Sequence, residues 1–455
     1  MRRSGPGIRA MRRLGLLPPA FFFLPEFQSE RFMRETLPGG RRGFALAILL
    51  AVFAVNFMDR QLVAILAEPI KRDLSLSDTE IALLYGFAFA VLYTSAGLPI
   101  ARLADRTNRA RIIGWSLMVF SAMTIACGLA TNYFQFLLGR IGVAVGEGGT
   151  NPPSHSILAD AFPLEKRTTA MAVFSLGPNL GILFGFLIAG WVAQIWGWRL
   201  AFVVAGVGGL AFALLILRFL EEPSRHPVTG LAQEQSSGRA VLRSLLGQSS
   251  TRHLLAGATV FSIAVYALVG WLPSFLIRSH GFSTAGAASV LAVILGAVGA
   301  LGTLASGLIA DRLGSHDPAR RLQTVGFALV AVAPIWAAVF LVDDWIMAVT
   351  LLILPGGLLA VHLAPTFAMV QSLAHPSMRA TAAALLLFVT NLVGFGLGPV
   401  AVGALSDALM PSYGKDSLKM ALLLVPPLCL WAGYHYHAAE RTIEAELTEA
   451  AVERP

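Results

Sequence analysis

Long apolar runs dominate the sequence and restrict what the chain can fold into. Twelve of them approach or exceed the 20 or so mostly apolar residues that an α-helix needs to cross a bilayer. The runs begin near Phe44, Glu80, Arg111, Tyr133, Ala170, Leu200, Leu254, Thr284, Leu322, Trp345, Ala380 and Met420. Only 13% of the 455 residues are charged, about half the share usual in soluble domains, because a charge inside hydrocarbon is costly. The runs predict an all-α membrane protein with twelve transmembrane helices.

The basic residues between the runs predict how the chain lies in the membrane. If both chain ends are cytoplasmic, the inner loops hold fifteen lysines and arginines and the outer loops hold six. Such residues favour the cytoplasmic side. Topology therefore accounts for the net charge of +8, and we expect a monomeric, multi-pass protein of the cell membrane that binds no nucleic acid.

A polar stretch divides the runs into two sets of six. It is rich in Gln, Ser, Gly and Pro, a composition typical of a linker. We predict a cytoplasmic tail at residues 1–43, a six-helix bundle at 44–220, a cytoplasmic linker at 221–252, a second bundle at 253–437 and a cytoplasmic tail at 438–455. The two cysteines, Cys127 and Cys429, lie in apolar runs, so we expect neither a disulfide framework nor a metal site. We predict no cofactor.

A charged loop occurs at the same place in both halves. Residues 101–111, after the second run, read ARLADRTNRAR, and residues 307–314, after the eighth, read GLIADRLG. The later loop fits the pattern Gly-x-x-x-Asp-Arg-x-Gly in full, whereas the earlier one has Ala101 and Asn108 at the glycine positions. This repeat resembles the signature loop of the major facilitator superfamily. The resemblance implies two pseudo-symmetric six-helix bundles that transport a small molecule by alternating access.

These loops are expected to act as a charged latch. An aspartate at a helix end can pair with an arginine and face the positive N-terminus of a neighbouring helix. The loop after the fourth run, with Asp160 and Arg167, and its counterpart with Arg379 after the tenth, resemble other loops of the same superfamily. The predicted inner gate therefore consists of Asp105, Arg106, Arg109, Asp160, Arg167, Asp311, Arg312 and Arg379. Topology alone would also explain the arginines.

Two shorter motifs narrow the resemblance. The first apolar run contains Asn56-Phe-Met-Asp59-Arg60, and the fourth contains Gly146-Glu147-Gly148. Together they resemble the Spinster branch, whose animal members export lysophospholipids and sphingosine phosphate. Organic-anion symporters of the same superfamily also carry an Asp-Arg pair in the first span.

Charges inside the predicted spans are the candidates for coupling to protons. Asp59, Arg60, Arg140 and Glu147 all lie within apolar runs, and buried ionisable groups commonly mark ion or proton pathways. We predict that Asp59, Arg60 and Glu147 couple protonation to transport, with Arg60 as the site for an anionic headgroup because its planar fork binds such groups bidentately. A purely structural salt-bridge network is the alternative.

Polar and aromatic residues in the spans supply the candidate substrate site. The predicted set is Asn56, Arg60, Tyr85, Phe89, Tyr93, Arg140, Asn179, Tyr266, Trp271 and Asn391. Packing is the alternative for the aromatic members.

The predicted function is proton-coupled transport of an amphiphilic organic molecule, with a lysolipid or sphingoid phosphate as the narrower hypothesis. The alternatives within the superfamily are a proton symporter of sugar acids or carboxylates and a drug:proton antiporter. A membrane acyltransferase would need a histidine with a nearby acid at a membrane face, which His375 lacks in the sequence. We therefore predict that the chain is not an enzyme. A sensor built on a transporter fold is a third class, which uptake into proteoliposomes would distinguish.

Overall fold

The computed structural model describes residues 39–223, 243, 246–313, 317–375 and 378–452. All secondary structure in these ranges is helical. The helices of the first half are α1 (Gly39–Leu74), α2 (Asp78–Tyr85), α3 (Phe87–Arg106), α4 (Arg109–Leu129), α5 (Tyr133–Glu147), α6 (Asn151–Ala161), α7 (Leu164–Phe174), α8 (Gly177–Trp196) and α9 (Trp198–Phe219). The second half contains α10 (Ser249–His280), α11 (Thr284–Leu291), the π-helix π1 (Ala292–Val298), α12 (Gly299–Leu313), α13 (Pro318–Leu341), α14 (Trp345–Gly357), α15 (Leu363–Leu373), α16 (Arg379–Val389), the π-helix π2 (Thr390–Phe395), α17 (Gly396–Tyr413), α18 (Ser417–Leu422) and α19 (Val425–Val452).

Nine helical stretches within the described ranges are long and apolar enough to cross a membrane. One of them, Thr381–Glu449, is 69 residues long and includes the last two predicted spans. Two further apolar helices, Trp345–Gly357 and Leu363–Leu373, are shorter. An all-helical membrane protein is therefore confirmed, whereas the number of twelve spans and the orientation of the chain ends stay predictions.

Predicted spans four and ten are each interrupted in the middle. Helix α5 ends at Glu147 and α6 begins at Asn151, while α14 ends at Gly357 and α15 begins at Leu363. The first break lets the chain approach its neighbours closely, since a Cβ on Gly148 would lie 3.1 Å from the backbone nitrogen of Gly97. Irregular backbone at this depth is tolerated where protein covers it.

Local signals set several of the helix ends. The Ser77 hydroxyl accepts a hydrogen bond from the Glu80 amide, and the Glu80 carboxylate accepts one from the Ser77 amide. This capping box at the start of α2 satisfies two free N–H groups. Helix α10 ends at His280 and is capped by Gly281, whose φ of 69° is left-handed and suits glycine best. These short connections keep consecutive helices side by side.

Contacts between helix ends define two faces of the molecule. Arg41 at the start of α1 pairs with Glu221 after α9 at 2.8 Å, and Glu446 of α19 accepts from the Ser249 amide at the start of α10 at 2.7 Å. Both halves therefore begin and end on one face, which we call the terminal face. The opposite face, where Asp343 pairs with Lys419 at 2.9 Å, is called the distal face.

Glycines let α8 pack closely against α1. A Cβ on Gly181 would lie 2.6 Å from the Cβ of Phe57, and one on Gly185 would lie 2.9 Å from the Cα of Met58. Helix α8 also packs against α11 and π1 of the second half. The predicted linker at 221–252 falls largely outside the described residues, as do most of the 1–43 tail and the last three residues of the chain, so the division into domains stays a prediction.

Candidate functional site

Four charged side chains are buried together between α1 and α5. Asp59 is 1% exposed and Arg60 7%, while Arg140 and Glu147 are fully buried. Two acids and two bases make the group neutral overall. All four were singled out from the sequence, and the structure brings them into contact.

The four charges form two crossed ion pairs. Arg140 donates through NH1 to Asp59 Oδ2 at 2.6 Å. Arg60 donates to Glu147 Oε1 through Nε at 2.8 Å and through NH2 at 2.5 Å. The neighbours Asp59 and Arg60 thus take separate partners on α5, which lie seven residues apart on one helix face.

The two acids differ in how completely their oxygens are bonded. Asp59 Oδ1 accepts from the Thr124 hydroxyl of α4 at 2.7 Å, so both of its oxygens have donors. Glu147 Oε2 has no hydrogen-bond partner, and neither do Nε and NH2 of Arg140. Such atoms are costly when buried without water or a ligand. The structure therefore contains unused donors and an unused acceptor beside a neutral cluster.

Aromatic rings surround the Arg60 guanidinium. Its carbon lies 4.9 Å from the ring centre of Phe57, 5.2 Å from Phe89, 5.0 Å from Tyr93 and 5.6 Å from Phe395. Rings at this range attract a cation. Phe395 belongs to π2 of the second half, so the cage joins the halves. Its members and Arg60 form what we call the arginine cage.

Other predicted substrate residues lie around this cage. Tyr266 donates to Asn391 Oδ1 at 2.6 Å, and its ring lies 4.9 Å from that of Phe395. Asn56 donates to Thr150 Oγ1 at 2.6 Å in the break after α5. Tyr266 therefore contacts the cage, Asn391 bonds to Tyr266, and Asn56 contacts the break beside Glu147.

The other three predicted substrate residues pack against neighbouring helices. Trp271 is buried and donates to the carbonyl of Pro399 at 2.9 Å. Tyr85 is 3% exposed; its ring lies 5.1 Å from that of Phe395 in the arginine cage, and a Cβ on Gly270 would lie 3.0 Å from it. Asn179 of α8 faces Gly299 at the start of α12. Tyr85 and Trp271 thus pack between the halves on the distal side of the cage.

An ionic cluster joins the halves at the distal face. Arg278 at the end of α10 donates to Glu68 Oε1 at 2.6 Å and to both oxygens of Asp78, at 2.8 and 2.6 Å. Lys71 and Ser406 also donate to Asp78, at 2.5 and 2.7 Å. We call these five residues the distal lock.

A sixth residue, Asp407 of α17, extends the distal lock. It accepts from the backbone amides of Asp78 and Thr79 at 3.0 and 2.8 Å, at the start of α2. An acid that caps the N-terminus of a helix is stabilising. Here the cap comes from the other half of the molecule, so it adds to the attachment between the halves.

Sequence reasoning missed the distal lock. Lys71 and Arg278 were counted only as outer-loop charges, and Glu68 received no role. One signal was present, because Glu68 lies inside the first apolar run, two turns after Arg60. Both ion pairs that the described residues form between the halves, from Arg278 to Glu68 and to Asp78, lie at this face.

The predicted inner-gate residues at the terminal face show another pattern. Arg109 is 3% exposed and binds Asp160 at 2.5 Å, Glu222 at 2.6 Å and Ser156 at 2.7 Å. Asp160 and Ser156 belong to the first half and Glu222 closely follows its last helix, so the group fastens α4 to α6 and to the chain after α9.

The remaining gate residues contribute less to the described contacts. Arg106 and Arg312 are exposed, while Arg167 and Arg379 are partly buried with Nε atoms that lack a hydrogen-bond partner. The side chains of Asp105 and Asp311 lie outside the described residues. The predicted latch therefore stays a prediction. The described residues hold no group of three or more metal-ligating side chains.

Comparison with known proteins gives the family. The family model of the Major Facilitator Superfamily matches residues 48–399. An MFS-type efflux pump of Mycolicibacterium smegmatis is 35% identical over 86% of this chain and 93% of its own length. The sphingosine-1-phosphate transporter SPNS2 of Danio rerio is 26% identical over 87% of this chain and 83% of its own length.

Comparison with solved structures indicates the same group of transporters as the relatives found by sequence. A bacterial homologue of the human lysosomal transporter Spinster, in an inward-facing and unoccupied conformation, superimposes with a TM-score of 0.82 at 28% identity. The match covers 90% of this chain and 99% of that one. The chain belongs to the major facilitator superfamily of membrane transporters, and within it resembles the Spinster branch.

Proposed function

We propose that the protein is a proton-coupled secondary transporter of an amphiphilic organic molecule. The observation that carries the proposal is the neutral cluster of Asp59, Arg60, Arg140 and Glu147, buried beside an aromatic cage that both halves build. A cluster that only stabilised the fold would have no need of an acceptor left without a donor. Glu147 Oε2 is such an acceptor.

The transporter works by alternating access between two six-helix bundles in the cell membrane, with twelve spans and both chain ends in the cytoplasm. The lock at the distal face supports an arrangement closed on that side. The excess of basic residues in the loops of the terminal face supports its placement in the cytoplasm. The likeness to an inward-facing relative supports the same state for this chain.

Proton coupling follows from competition for the two arginines. In this proposal Asp59 takes up a proton and loses its attraction for Arg140, while an anionic substrate displaces Glu147 from Arg60. Glu147 returns to Arg60 when the substrate leaves. Removing or adding a charge in a buried pair changes the stability of each conformation by several kcal/mol, which is enough to bias alternating access.

The proposed substrate has an anionic headgroup and an apolar body. Arg60 offers a planar fork to a phosphate or carboxylate, and Phe57, Phe89 and Phe395 offer apolar walls. A lysolipid or a sphingoid phosphate has this chemistry, which accords with relatives named as an MFS-type efflux pump and a sphingosine-1-phosphate transporter.

A sugar-acid or carboxylate:proton symporter is the second candidate. The planar fork of Arg60, which binds a carboxylate well, favours this candidate. So do relatives such as the hexuronate transporter of Bacillus subtilis, which is 24% identical over 83% of this chain. A hydroxyl-rich substrate needs many hydrogen-bond partners in its site, and three of the four rings of the cage are phenylalanines. The amphiphile is therefore preferred.

A binding screen would separate these candidates. Purified protein is heated with lysolipids, sphingoid phosphates, sugar acids and cationic drugs, because a ligand that binds the folded state raises the melting temperature. We expect the largest shift with a lysolipid or sphingoid phosphate and none with Arg60→Ala. A larger shift with sugar acids would favour the symporter, and one with cationic drugs would favour the drug antiporter.

Variants reconstituted into liposomes test the coupling. Asp59→Asn should abolish accumulation driven by a pH gradient and leave binding measurable, because neutral Asn resembles the protonated acid. Glu147→Gln should weaken coupling less. Asp73→Asn is the matched control, since Asp73 is an exposed acid at the distal face, and it should behave like the unaltered protein. Accumulation by Asp59→Asn equal to that of the unaltered protein would move the proton site to Glu147.

A further inference from the structure

The Thr124 hydroxyl lies within hydrogen-bonding distance of two acceptors. It is 2.7 Å from Asp59 Oδ1 and 3.1 Å from the carbonyl oxygen of Phe120, one turn earlier in α4. A hydroxyl has one proton to donate and two lone pairs that accept. It can therefore donate to only one of these oxygens at full strength at any moment.

Both oxygens of Asp59 already accept a hydrogen bond, and the Thr124 hydroxyl is the donor that can also act as an acceptor. The second oxygen of Asp59 accepts from Arg140, and Arg140 cannot give up its charge at any accessible pH. Asp59 is 1% exposed and Thr124 is 1% exposed, so water does not reach this pair in the described state. A proton on the Oδ1 lone pair that faces Thr124 would meet the hydroxyl proton directly unless the hydroxyl turned away.

The charged and titratable groups around Asp59 are few. Arg140 and Glu147 face it from α5, Arg60 follows it on α1, and the Cys127 thiol lies near it on α4. The closely packed helix α8 presents Gly181 and Gly185 to this part of α1. Among the described residues, Thr124 is thus the uncharged side chain that hydrogen-bonds to the Asp59 carboxylate.

We propose that Thr124 is a positioning residue whose hydroxyl turns between two hydrogen bonds as Asp59 gains and loses its proton. When Asp59 is ionised, the hydroxyl donates to Oδ1. When Asp59 is protonated, the hydroxyl donates to the Phe120 carbonyl and accepts a hydrogen bond from the new O–H group on Oδ1. Asp59 Oδ1 and the Thr124 hydroxyl stay hydrogen-bonded to each other in both states, so Asp59 can titrate without opening the packing of α1 against α4. The inference rests on the proposed role of Asp59 as the proton carrier.

Infrared spectroscopy of the purified protein tests this inference without any substrate. The carbonyl stretch of a protonated carboxylic acid is recorded against pH, and the band that Asp59→Asn removes is assigned to Asp59. In Thr124→Val the ionised acid loses a donor, so the midpoint of this band should rise by roughly half to one pH unit. The band should also move to higher frequency, because the protonated acid has lost the oxygen that accepted its hydrogen bond.

Two further variants separate the hydroxyl from the shape of the side chain. Thr124→Ser keeps the hydroxyl and should keep both the midpoint and the frequency. Thr390→Val removes a buried threonine hydroxyl that bonds to backbone carbonyls one turn earlier, in α16, and should change neither. If Thr124→Val does not give folded protein, Thr124→Ala should show the same two shifts.

The outcomes distinguish the inference from the proposed function. If Asp59→Asn removes a titrating band that Thr124→Val leaves at the same midpoint and frequency, Asp59 is a proton site and Thr124 has no part in it. If Asp59→Asn removes no titrating band, Asp59 is not the carrier and the proposed coupling scheme is wrong at its first step. A shift in Thr124→Val that Thr124→Ser reverses supports the inference.

Discussion

Replacement of Arg278 by Gln should open the distal face. Arg278 makes one hydrogen bond to Glu68 and two to Asp78, and only 11% of its side chain is exposed. Glutamine removes all three charge-assisted bonds between the halves. Within the distal lock it leaves Glu68 without a cation, whereas Asp78 keeps Lys71 at 2.5 Å. The substitution therefore destabilises the conformation in which these groups are buried, which is the one closed at the distal face.

The size of the effect follows from these contacts. Breaking a buried ion pair by removing one partner costs about 3–5 kcal/mol. Because Asp78 keeps its bond to Lys71, we expect Arg278→Gln to cost about 2–3 kcal/mol. That energy changes the ratio of closed to open molecules roughly 30- to 140-fold. Glu68→Gln should have a smaller effect, because Arg278 keeps both of its bonds to Asp78. Arg278→Lys should restore only part of the lock, since an ammonium lacks the planar fork.

Spin-label distances across the distal face measure this ratio. Labels at Thr131 and Lys415, which are exposed in the first and second halves, should report a short distance in the unaltered protein and a longer one in Arg278→Gln. Arg199→Gln is the matched control, because Arg199 pairs at the same face with Asp73 of its own half and is 41% exposed. An unchanged distance distribution in Arg278→Gln, or an equal change in Arg199→Gln, would refute the reasoning.

Three further substitutions test other parts of the account. Arg109→Ala should lower the free energy of unfolding by about 3 kcal/mol without altering distances across the distal face, because its partners lie at the terminal face, in the first half and just after α9. Melting curves should show no such loss for the exposed Arg106→Ala. Gly181→Val should destabilise the protein by about 1–3 kcal/mol through overpacking against α1, whereas Gly208→Val, with no atom within 4 Å of the new Cβ, should melt like the unaltered protein. Asp311→Asn should remove a charge-assisted bond of about 1.5–3 kcal/mol from the predicted latch. Spin-label distances across the terminal face should then lengthen, and an unchanged distance distribution would count against the latch.

The buried charges could be predicted from the sequence because a charge inside an apolar run is conspicuous. Their pairing could not be predicted. Arg140 and Glu147 lie on one face of α5, so the sequence allows Asp59 and Arg60 to meet either of them, and the rotation of α5 against α1 decides. The structure pairs Asp59 with Arg140 and Arg60 with Glu147.

Contacts between distant segments explain most of what the sequence did not reveal. The break after Glu147 depends on the close approach of Gly148 to Gly97, which no local pattern encodes. The partners of Arg278 lie on α1 and α2, about 200 residues away in the chain. Arg109 lies in the charged loop that was predicted to form part of the inner gate. Its burial against Glu222 instead fastens α4 to the chain after α9.

The most direct test of the central claim is the simultaneous measurement of substrate and proton movement by the unaltered protein. Liposomes that contain the purified protein and a trapped pH indicator are given the amphiphile that raises the melting temperature most in the binding screen. We expect the internal pH to change as the substrate crosses the membrane, and a protonophore to abolish accumulation. Asp59→Asn should bind the substrate and show no linked pH change. Substrate accumulation without any proton movement, or a linked pH change that persists in Asp59→Asn, would contradict the account.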